Sequence, residues 1–418
     1  MIGPETQLHE LRKQAVTPVP GKRGSWRSRL FAIVWIVLLG VIPPCRSTAS
    51  ADSDRDEVRV KETMAPPAAR EKAPRLPSLT GLRWFAAFAV FGFHLFTGGI
   101  TDDPGTQRFL GAVFSAGSSG VPFFFVLSGM VLTWSSRPGD RAWAFWRRRA
   151  ARIVPSHMVT WIAVLALLTV AGRVVAPGPA VSGFFLLQAW VPDETYYFGG
   201  NTPSWSLSCE MAFYAAFPLL LPLLRRIPGN RLLLTSAGLW AGTWVVPFVS
   251  FSMPESIGYW FVWIFPVTRA LEFALGMTVA LMVKEGRWRG PGLPVAVVLV
   301  LAAYATVPLV WQRAGWVAWM AGPFAVLIAA AATADVREKR SPLRLPALVW
   351  LGEISFAFYL VHQPTISLVN RVLGRTPAHA LLVTLTALPL AVLLAWALHR
   401  LVERPAERLL SGGRPGAA

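Results

Sequence analysis

The sequence predicts an all-α fold, a polytopic helical membrane protein with about ten transmembrane helices. Of its 418 residues, 54% are hydrophobic and only 15% are charged, which is not the composition of a soluble globular protein. Apolar runs of near-spanning length recur along most of the chain. The loops between these runs are alternately rich and poor in Arg and Lys, the pattern that orients membrane proteins. We therefore attribute the net charge of +18 to membrane topology and expect no nucleic acid partner.

The first 75 residues are predicted to be a basic, disordered extension. Residues 31–42 form a short apolar segment behind several arginines, which loosely resembles a secretory signal and is short for a membrane span. Residues 52–75 are charged and rich in Pro and Ala, with too little apolar content to fold alone. A cleaved signal, an eleventh helix and a dispensable extension all remain open. We expect residues 1–63 to be dispensable, with Met64 as a workable start.

Residues 76–408 are predicted to form the membrane domain, followed by a flexible tail at 409–418. The ten predicted spans are 82–100, 119–135, 154–172, 204–225, 231–250, 258–283, 292–311, 315–334, 346–371 and 379–402. The loops after the second, fourth, sixth and eighth spans carry most of the Arg and Lys, so these loops are predicted to be cytoplasmic. Both ends of the ten-helix core then face the cytoplasm of a multi-pass protein in the cell membrane. Cys45 and Cys209 are far apart, and neither a disulfide framework nor a metal site is predicted.

The first predicted span carries an arginine and a histidine on one helical face. Arg83 and His94 are eleven positions apart, which is about three turns of helix and roughly 16 Å along the axis. With Arg83 at the membrane surface, His94 reaches about half-way into a ~30 Å hydrocarbon layer. Ionisable groups at that depth are costly and usually functional. The alternative is a histidine that only holds neighbouring helices together by a hydrogen bond.

A basic cluster leads into the third predicted span. Arg148, Arg149 and Arg152 stand at its entrance, where arginines can hold phosphate groups by charge and paired hydrogen bonds. Setting topology is the commoner role of arginine at such a position. In the second span, Ser128 precedes Gly129 inside a wall of Phe residues, and this small pair favours close helix packing.

Three later spans also carry ionisable side chains. Glu210, near the start of the fourth span, can accept a proton or orient a histidine, or it can be an interfacial bystander. Arg269 and Glu272 are three positions apart in the sixth span and can pair on one face, either at a site or as a structural pair. His362 precedes Gln363 and Pro364 in the ninth span, and a proline kink there fits a cavity wall.

Five sequence motifs, none of them specific alone, follow one another along the chain. The chain contains no phosphate-binding glycine loop, no G-x-S-x-G and no H-E-x-x-H. The motifs are L-T-G-L-R ending at Arg83 with His94 beyond it, F-F-V-L-S-G at 124–129, R-R-x-x-R-x-x-P at 148–155, W-S-L-S-x-E at 205–210, and I-S followed by Y-L-x-H-x-P at 354–364. In these residues and in this order the motifs resemble the integral-membrane acyltransferase family 3. Thr80 and Met211 depart from the family pattern, which usually has Asp and a second Glu there.

The resemblance implies a membrane O-acyltransferase that acylates a hydroxyl of a sugar, a glycan or a secondary metabolite. The residues around two of the motifs are similar to those of the branch that acylates macrolides. No bound cofactor is implied, and acyl-CoA is the expected co-substrate. Some members carry an extracytoplasmic hydrolase-like domain, which is not expected here. The remaining alternatives are a proton-coupled transporter that uses His94, Glu210 and His362 as a relay, and a structural membrane scaffold.

The implied mechanism divides the candidate residues into catalytic and binding groups. His94 is the predicted general base, Glu210 is predicted to orient or stabilise its imidazolium, and Arg83 belongs with them at the cytoplasmic mouth. The predicted substrate-binding residues are Arg148, Arg149, Arg152, Ser128, Trp205, Ser206, Arg269 and His362. The partners are membrane lipid, the acyl-CoA donor and a hydroxyl-bearing acceptor.

Overall fold

The computed structural model describes residues 74–137, 139–310, 315–373 and 379–410. Nearly all of the predicted N-terminal extension and most of the predicted tail lie outside these residues. In chain order the α-helices are α1 Pro77–Thr97, α2 Pro104–Phe114, α3 Gly120–Ser135, α4 Ala142–Val170, α5 Pro177–Phe184, α6 Glu194–Tyr197, α7 Trp205–Arg225, α8 Leu232–Val249, α9 Glu255–Trp263, α10 Pro266–Lys284, α11 Leu293–Thr306, α12 Met320–Val336, α13 Pro346–Glu353, α14 Ser355–Leu373, α15 His379–Leu398 and α16 Arg404–Leu410.

The predicted fold class is confirmed, a polytopic helical membrane protein. Within the described ranges, eight helical segments are long and apolar enough to cross a membrane. The predicted seventh span is a shorter apolar helix, Leu293–Leu309. The predicted ninth span is two helices, α13 and α14, that meet at Ile354. The predicted sixth span is also two helices, α9 and α10. Pro266 disfavours helical conformation in the residue before it, and α10 begins at this proline.

Two helices begin earlier than the apolar runs suggest. Helix α1 starts at Pro77, not at residue 82, because Pro suits the first helical position and Asp335 supplies the missing acceptor. The Asp335 carboxylate accepts hydrogen bonds from the Ser78 backbone N–H at 2.8 Å and from its hydroxyl at 2.7 Å. Helix α4 starts at Ala142, so the arginine-rich stretch that was predicted as a loop is the first part of that helix.

Helix α10 lies at the centre and packs against α3, α7 and α8. Its approach to α3 depends on two glycines. A Cβ on Gly129 would overlap the Phe273 carbonyl oxygen, and a Cβ on Gly276 would overlap the Val126 carbonyl oxygen. Small residues at such a crossing let two helix backbones approach closely in a membrane. Helix α3, which this crossing holds against α10, also supplies several residues that line the cavity described next.

Candidate active site

A cavity of about 110 Å³ lies between α1, α3, α4, α7 and α14. Six of the predicted site residues line it: Arg83, Ser128, Arg149, Arg152, Ser206 and Glu210. The rest of its wall is mainly Phe, Leu, Val and Ile side chains, with Tyr214, Ser355 and Tyr359 as further polar members. Residues that are up to 276 positions apart in the chain therefore share one small chamber.

The chamber holds one carboxylate among three guanidinium groups. Glu210 Oε1 accepts a hydrogen bond from the Ser128 hydroxyl at 3.3 Å, and Oε2 accepts one from the Tyr214 hydroxyl at 3.0 Å. Tyr214 is one helical turn beyond Glu210, so α7 supplies both groups. Arg83, Arg149 and Arg152 line the same cavity. Among the side chains that line the chamber, three are positive and one is negative, which suits an anionic ligand. Two carboxylates outside the lining, Glu403 and Glu407, offset part of the charge of Arg152.

The three arginines predicted at the entrance of the third span do not share one environment. Arg149 and Arg152 line the cavity. The Arg152 Nε lies 3.9 Å from Glu403 Oε1 and 3.8 Å from Glu407 Oε1. Arg148 lies outside the cavity, because consecutive helical residues point in different directions. Its guanidinium pairs with Asp140 at 3.5 Å on the exposed surface.

His94 and His362 form a directly contacting pair. The His362 Nε2 lies 3.1 Å from the His94 Nδ1, and the two ring centroids are 4.9 Å apart. His362 is fully buried. Its Nδ1 is 2.7 Å from the Tyr359 carbonyl oxygen, and the His94 Nδ1 is 2.9 Å from the Val90 carbonyl oxygen. Sequence reasoning named both histidines but gave no reason to pair them.

The pair lies nearer the end of α1 than we expected. Because α1 begins at Pro77, His94 is roughly 26 Å along the helix axis, only three residues before the helix ends at Thr97. The predicted orienting contact between Glu210 and His94 is also replaced. Glu210 hydrogen-bonds to Ser128 and Tyr214, and the side chain that the structure places against His94 is His362.

Tyr359 stands between the cavity and the histidine pair. Its ring lines the cavity and its centroid is 5.7 Å from that of His362. Its hydroxyl is 2.9 Å from the Ser206 hydroxyl and donates to the Pro203 carbonyl at 3.1 Å. Sequence reasoning missed this residue as a site member. The available signal was a tyrosine three positions before an intramembrane histidine, which places both on one side of α14.

Two other predicted binding residues lie behind the cavity wall. Arg269 pairs with Glu272 at 3.1 Å, with both side chains almost completely buried. The Arg269 guanidinium lies 5.1 Å from the centre of the Phe125 ring, and Phe125 separates it from the chamber. Trp205 contacts the same ring edge to face. Arg269 thus has the structural pairing that was one of its two predicted roles.

Known proteins resemble this chain over most of its length. The acyltransferase domain model matches residues 76–400. Acyltransferase MdmB of Streptomyces mycarofaciens is 41% identical over 365 residues, which cover 82% of this chain and 94% of that protein. Exopolysaccharide production protein ExoZ of Rhizobium meliloti is 29% identical over 320 residues, 72% of this chain and 92% of ExoZ.

A longer relative matches over half of its own length. Peptidoglycan O-acetyltransferase OatA of Listeria monocytogenes is 26% identical over 342 residues, which cover 72% of this chain and 51% of OatA. No solved structure matches the chain. The matched region of 76–400 contains every residue that lines the cavity, and both histidines of the pair.

Proposed function

The chain belongs to the acyltransferase domain family, and on that premise we propose that it moves an acyl group from cytosolic acyl-CoA to a hydroxyl of a sugar, a glycan or a macrolide-like secondary metabolite. Its family makes it a membrane acyltransferase. The observation that supports the rest of the proposal is the basic chamber beside the histidine pair. Arg83, Arg149 and Arg152 line this chamber, and arginine is the side chain best suited to the phosphate groups of CoA.

The donor enters from the cytoplasm in this proposal. The loop that precedes the arginine-rich start of α4 belongs to the basic set, which favours the cytoplasmic side. The nucleotide part of CoA then stays at the mouth, near Arg149 and Arg152, and the thioester points towards Tyr359. The Tyr359–Ser206 hydrogen bond lies on the way to the histidines. The thioester therefore reaches the acceptor where the chamber meets the histidine pair.

The hydrogen bonds of the pair support an assignment of the nitrogen that acts as the base. A carbonyl oxygen only accepts, so His362 Nδ1 must donate its proton to Tyr359, and its Nε2 carries a lone pair in the neutral ring. The His94 Nδ1 donates to Val90 and to that lone pair. This assignment follows from the hydrogen-bond network. It leaves the lone pair of neutral His94 on Nε2, as a general base requires.

The reaction follows from that assignment. The acceptor hydroxyl gives its proton to His94 Nε2 while its oxygen attacks the thioester carbonyl carbon. The tetrahedral intermediate collapses, the carbon–sulfur bond breaks, and His94 returns the proton to the sulfur. The products are an ester and the free thiol of CoA. Glu210 acts in this scheme by balancing the positive charge of the chamber and by holding Tyr214 and Ser128 in place.

The transporter alternative requires a proton relay from His94 through Glu210 to His362. In the described structure, the hydrogen bonds of Glu210 lead to Ser128 and Tyr214, and Tyr359 lies between the chamber and the histidines. The hydrogen bonds of Glu210 therefore give no direct support to the step between the carboxylate and the histidine pair. Membership of the acyltransferase family independently favours an enzyme over a transporter.

Labelled acetyl-CoA tests the proposal. Purified protein in detergent is incubated with the labelled donor and a panel of neutral glycosides, glycan fragments and macrolides, and labelled esters are separated from the donor. We expect one acceptor class to be labelled, and His94→Ala to lose this activity. If the wild-type protein neither transfers nor hydrolyses the acetyl group with any acceptor, the proposed donor is wrong.

A further inference from the structure

The C-terminal end of the membrane domain reaches the mouth of the chamber. Helix α15 ends at Leu398 and continues as one π-helical turn, His399–Glu403, before α16. Both α16 and the π-helical turn pack against α4, the helix that carries Arg149 and Arg152. A π-helical turn inside an α-helical run is uncommon and is frequent at functional sites. This turn carries a buried carboxylate.

That carboxylate, Glu403, is only 1% exposed, and a residue of the same helical turn holds it in place. Its Oε2 accepts a hydrogen bond from His399 Nδ1 at 2.9 Å. The other ring nitrogen of His399 accepts one from Arg404 Nε at 3.0 Å, and Arg404 pairs with Glu353 of α13 at 3.3 Å. His399, Arg404 and Glu353 therefore form a chain of contacts that fixes the position of Glu403.

The second oxygen of Glu403 faces the chamber arginine. Its Oε1 lies 3.9 Å from Arg152 Nε, and Glu407 Oε1 lies 3.8 Å from the same nitrogen. Both carboxylates come closest to Nε and not to the two terminal nitrogens of the guanidinium. Glu407 is 38% exposed, so solvent weakens its interaction. Glu403 is buried and fixed, and we expect it to contribute most of the attraction.

We propose that Glu403 is a positioning residue for donor binding: it holds Arg152 by Nε at the chamber mouth, so that the terminal nitrogens of the guanidinium are presented to the phosphates of CoA. This inference rests on the proposed function, because it assumes that CoA is the donor. A second effect follows from charge. Without Glu403, Arg152 keeps only the partly exposed Glu407 beside it and Glu210 in the chamber. Repulsion from Arg83 and Arg149 then favours an outward position of its side chain.

The test compares CoA with pantetheine, which lacks every phosphate of CoA. The affinities of both compounds are measured by titration calorimetry, or by competition with labelled acetyl-CoA, for the full-length protein in detergent. Glu403→Gln keeps the size of the side chain and removes its charge. We expect it to weaken CoA binding roughly tenfold, the factor that corresponds to about 1.4 kcal/mol, with pantetheine binding unchanged. Glu403→Asp is expected to restore part of the loss.

Two matched carboxylates serve as controls. Glu407→Gln is expected to weaken CoA binding by less than Glu403→Gln, because Glu407 is exposed. Glu285→Gln removes a carboxylate from an exposed pair with Arg287, away from the chamber lining, and is expected to leave both affinities unchanged. Arg152→Gln combined with Glu403→Gln should bind CoA no more weakly than Arg152→Gln alone, because one acts through the other.

The outcomes separate the two proposals. If the wild-type protein does not bind CoA, the proposed donor is wrong. If it binds CoA and Glu403→Gln binds it equally well, only the positioning role is overturned. If Glu403→Gln and Glu403→Asp both lose pantetheine binding, or both lower the unfolding temperature without a selective effect on CoA, Glu403 is a structural residue and the inference fails.

Discussion

Replacing His362 with Phe separates a base from the residue that positions it. Phe fits the site, because the His362 ring already stacks on Phe358 with 5.8 Å between centroids and 17° between planes. The substitution removes the acceptor 3.1 Å from His94 Nδ1. It leaves the shorter contact of that nitrogen, 2.9 Å to the Val90 carbonyl. His94 should therefore keep both its tautomer and its basic Nε2.

The expected loss is that of one hydrogen bond. A neutral intramolecular hydrogen bond contributes about 1 kcal/mol, and this amount in the activation free energy lowers kcat roughly fivefold. Removing the base itself, as in His94→Ala, typically costs ~10²–10⁴-fold. The prediction is thus a modest loss for His362→Phe and a loss at least tenfold greater for His94→Ala. KM for the donor should not change, because neither histidine lines the chamber.

Initial rates of acetyl transfer at saturating donor and acceptor distinguish these outcomes, with thermal unfolding in detergent as a check on folding. If His362→Phe loses as much activity as His94→Ala while its unfolding temperature stays near that of the wild type, His362 itself carries the proton. If it loses nothing, the contact between the rings does not position the base. Either result would refute the assignment of roles made from the hydrogen bonds.

Three further substitutions test the chamber and its wall. Arg83→Lys should raise the donor KM more than the acceptor KM, because lysine lacks the planar fork of guanidinium; an unchanged donor KM would argue against phosphate binding there. Glu210→Gln should cost less activity than His94→Ala, because Glu210 contacts Ser128 and Tyr214 and not the histidine pair; a loss as large as that of His94→Ala would place the carboxylate in the chemical step. Gly129→Ala should lower stability by about 1–3 kcal/mol through overpacking against Phe273, measured by thermal unfolding beside Gly238→Ala, whose Cβ meets nothing within 4 Å. Equal stability of the two variants would contradict the close crossing of α3 and α10.

Much of the chamber could be predicted because its residues lie in apolar helices where polar groups are conspicuous. Arg83 and Glu210 each interrupt a run that composition assigns to the membrane. The boundaries of the helices were harder to predict. The start of α1 depends on Asp335, 257 positions after Ser78, and no local pattern reveals a capping group that another helix supplies.

The contacts between helices could not be read from the sequence for the same reason. His94 and His362 are 268 positions apart, and Arg152 and Glu403 are 251 apart. Helical periodicity fixes which side chains share a face of one helix. It does not fix which faces meet, because in a membrane the packing of small residues and polar groups decides that. Gly129 gave a local sign of such packing but not the identity of its partner, Phe273.

Local pairing explains why Arg269 lies outside the chamber. Arg269 has Glu272 one turn away on its own helix, so each group finds its partner before any other helix is considered, and the pair is buried outside the chamber. Arg83, Arg152 and Glu210 have no residue of opposite charge within four positions. Their oppositely charged partners lie on other helices, and the three side chains come together in the chamber where these helices meet. A site residue can therefore be expected to combine membrane depth with the absence of a local partner. Arg269 has such a partner in Glu272, so this criterion would have placed it outside the site from the sequence alone.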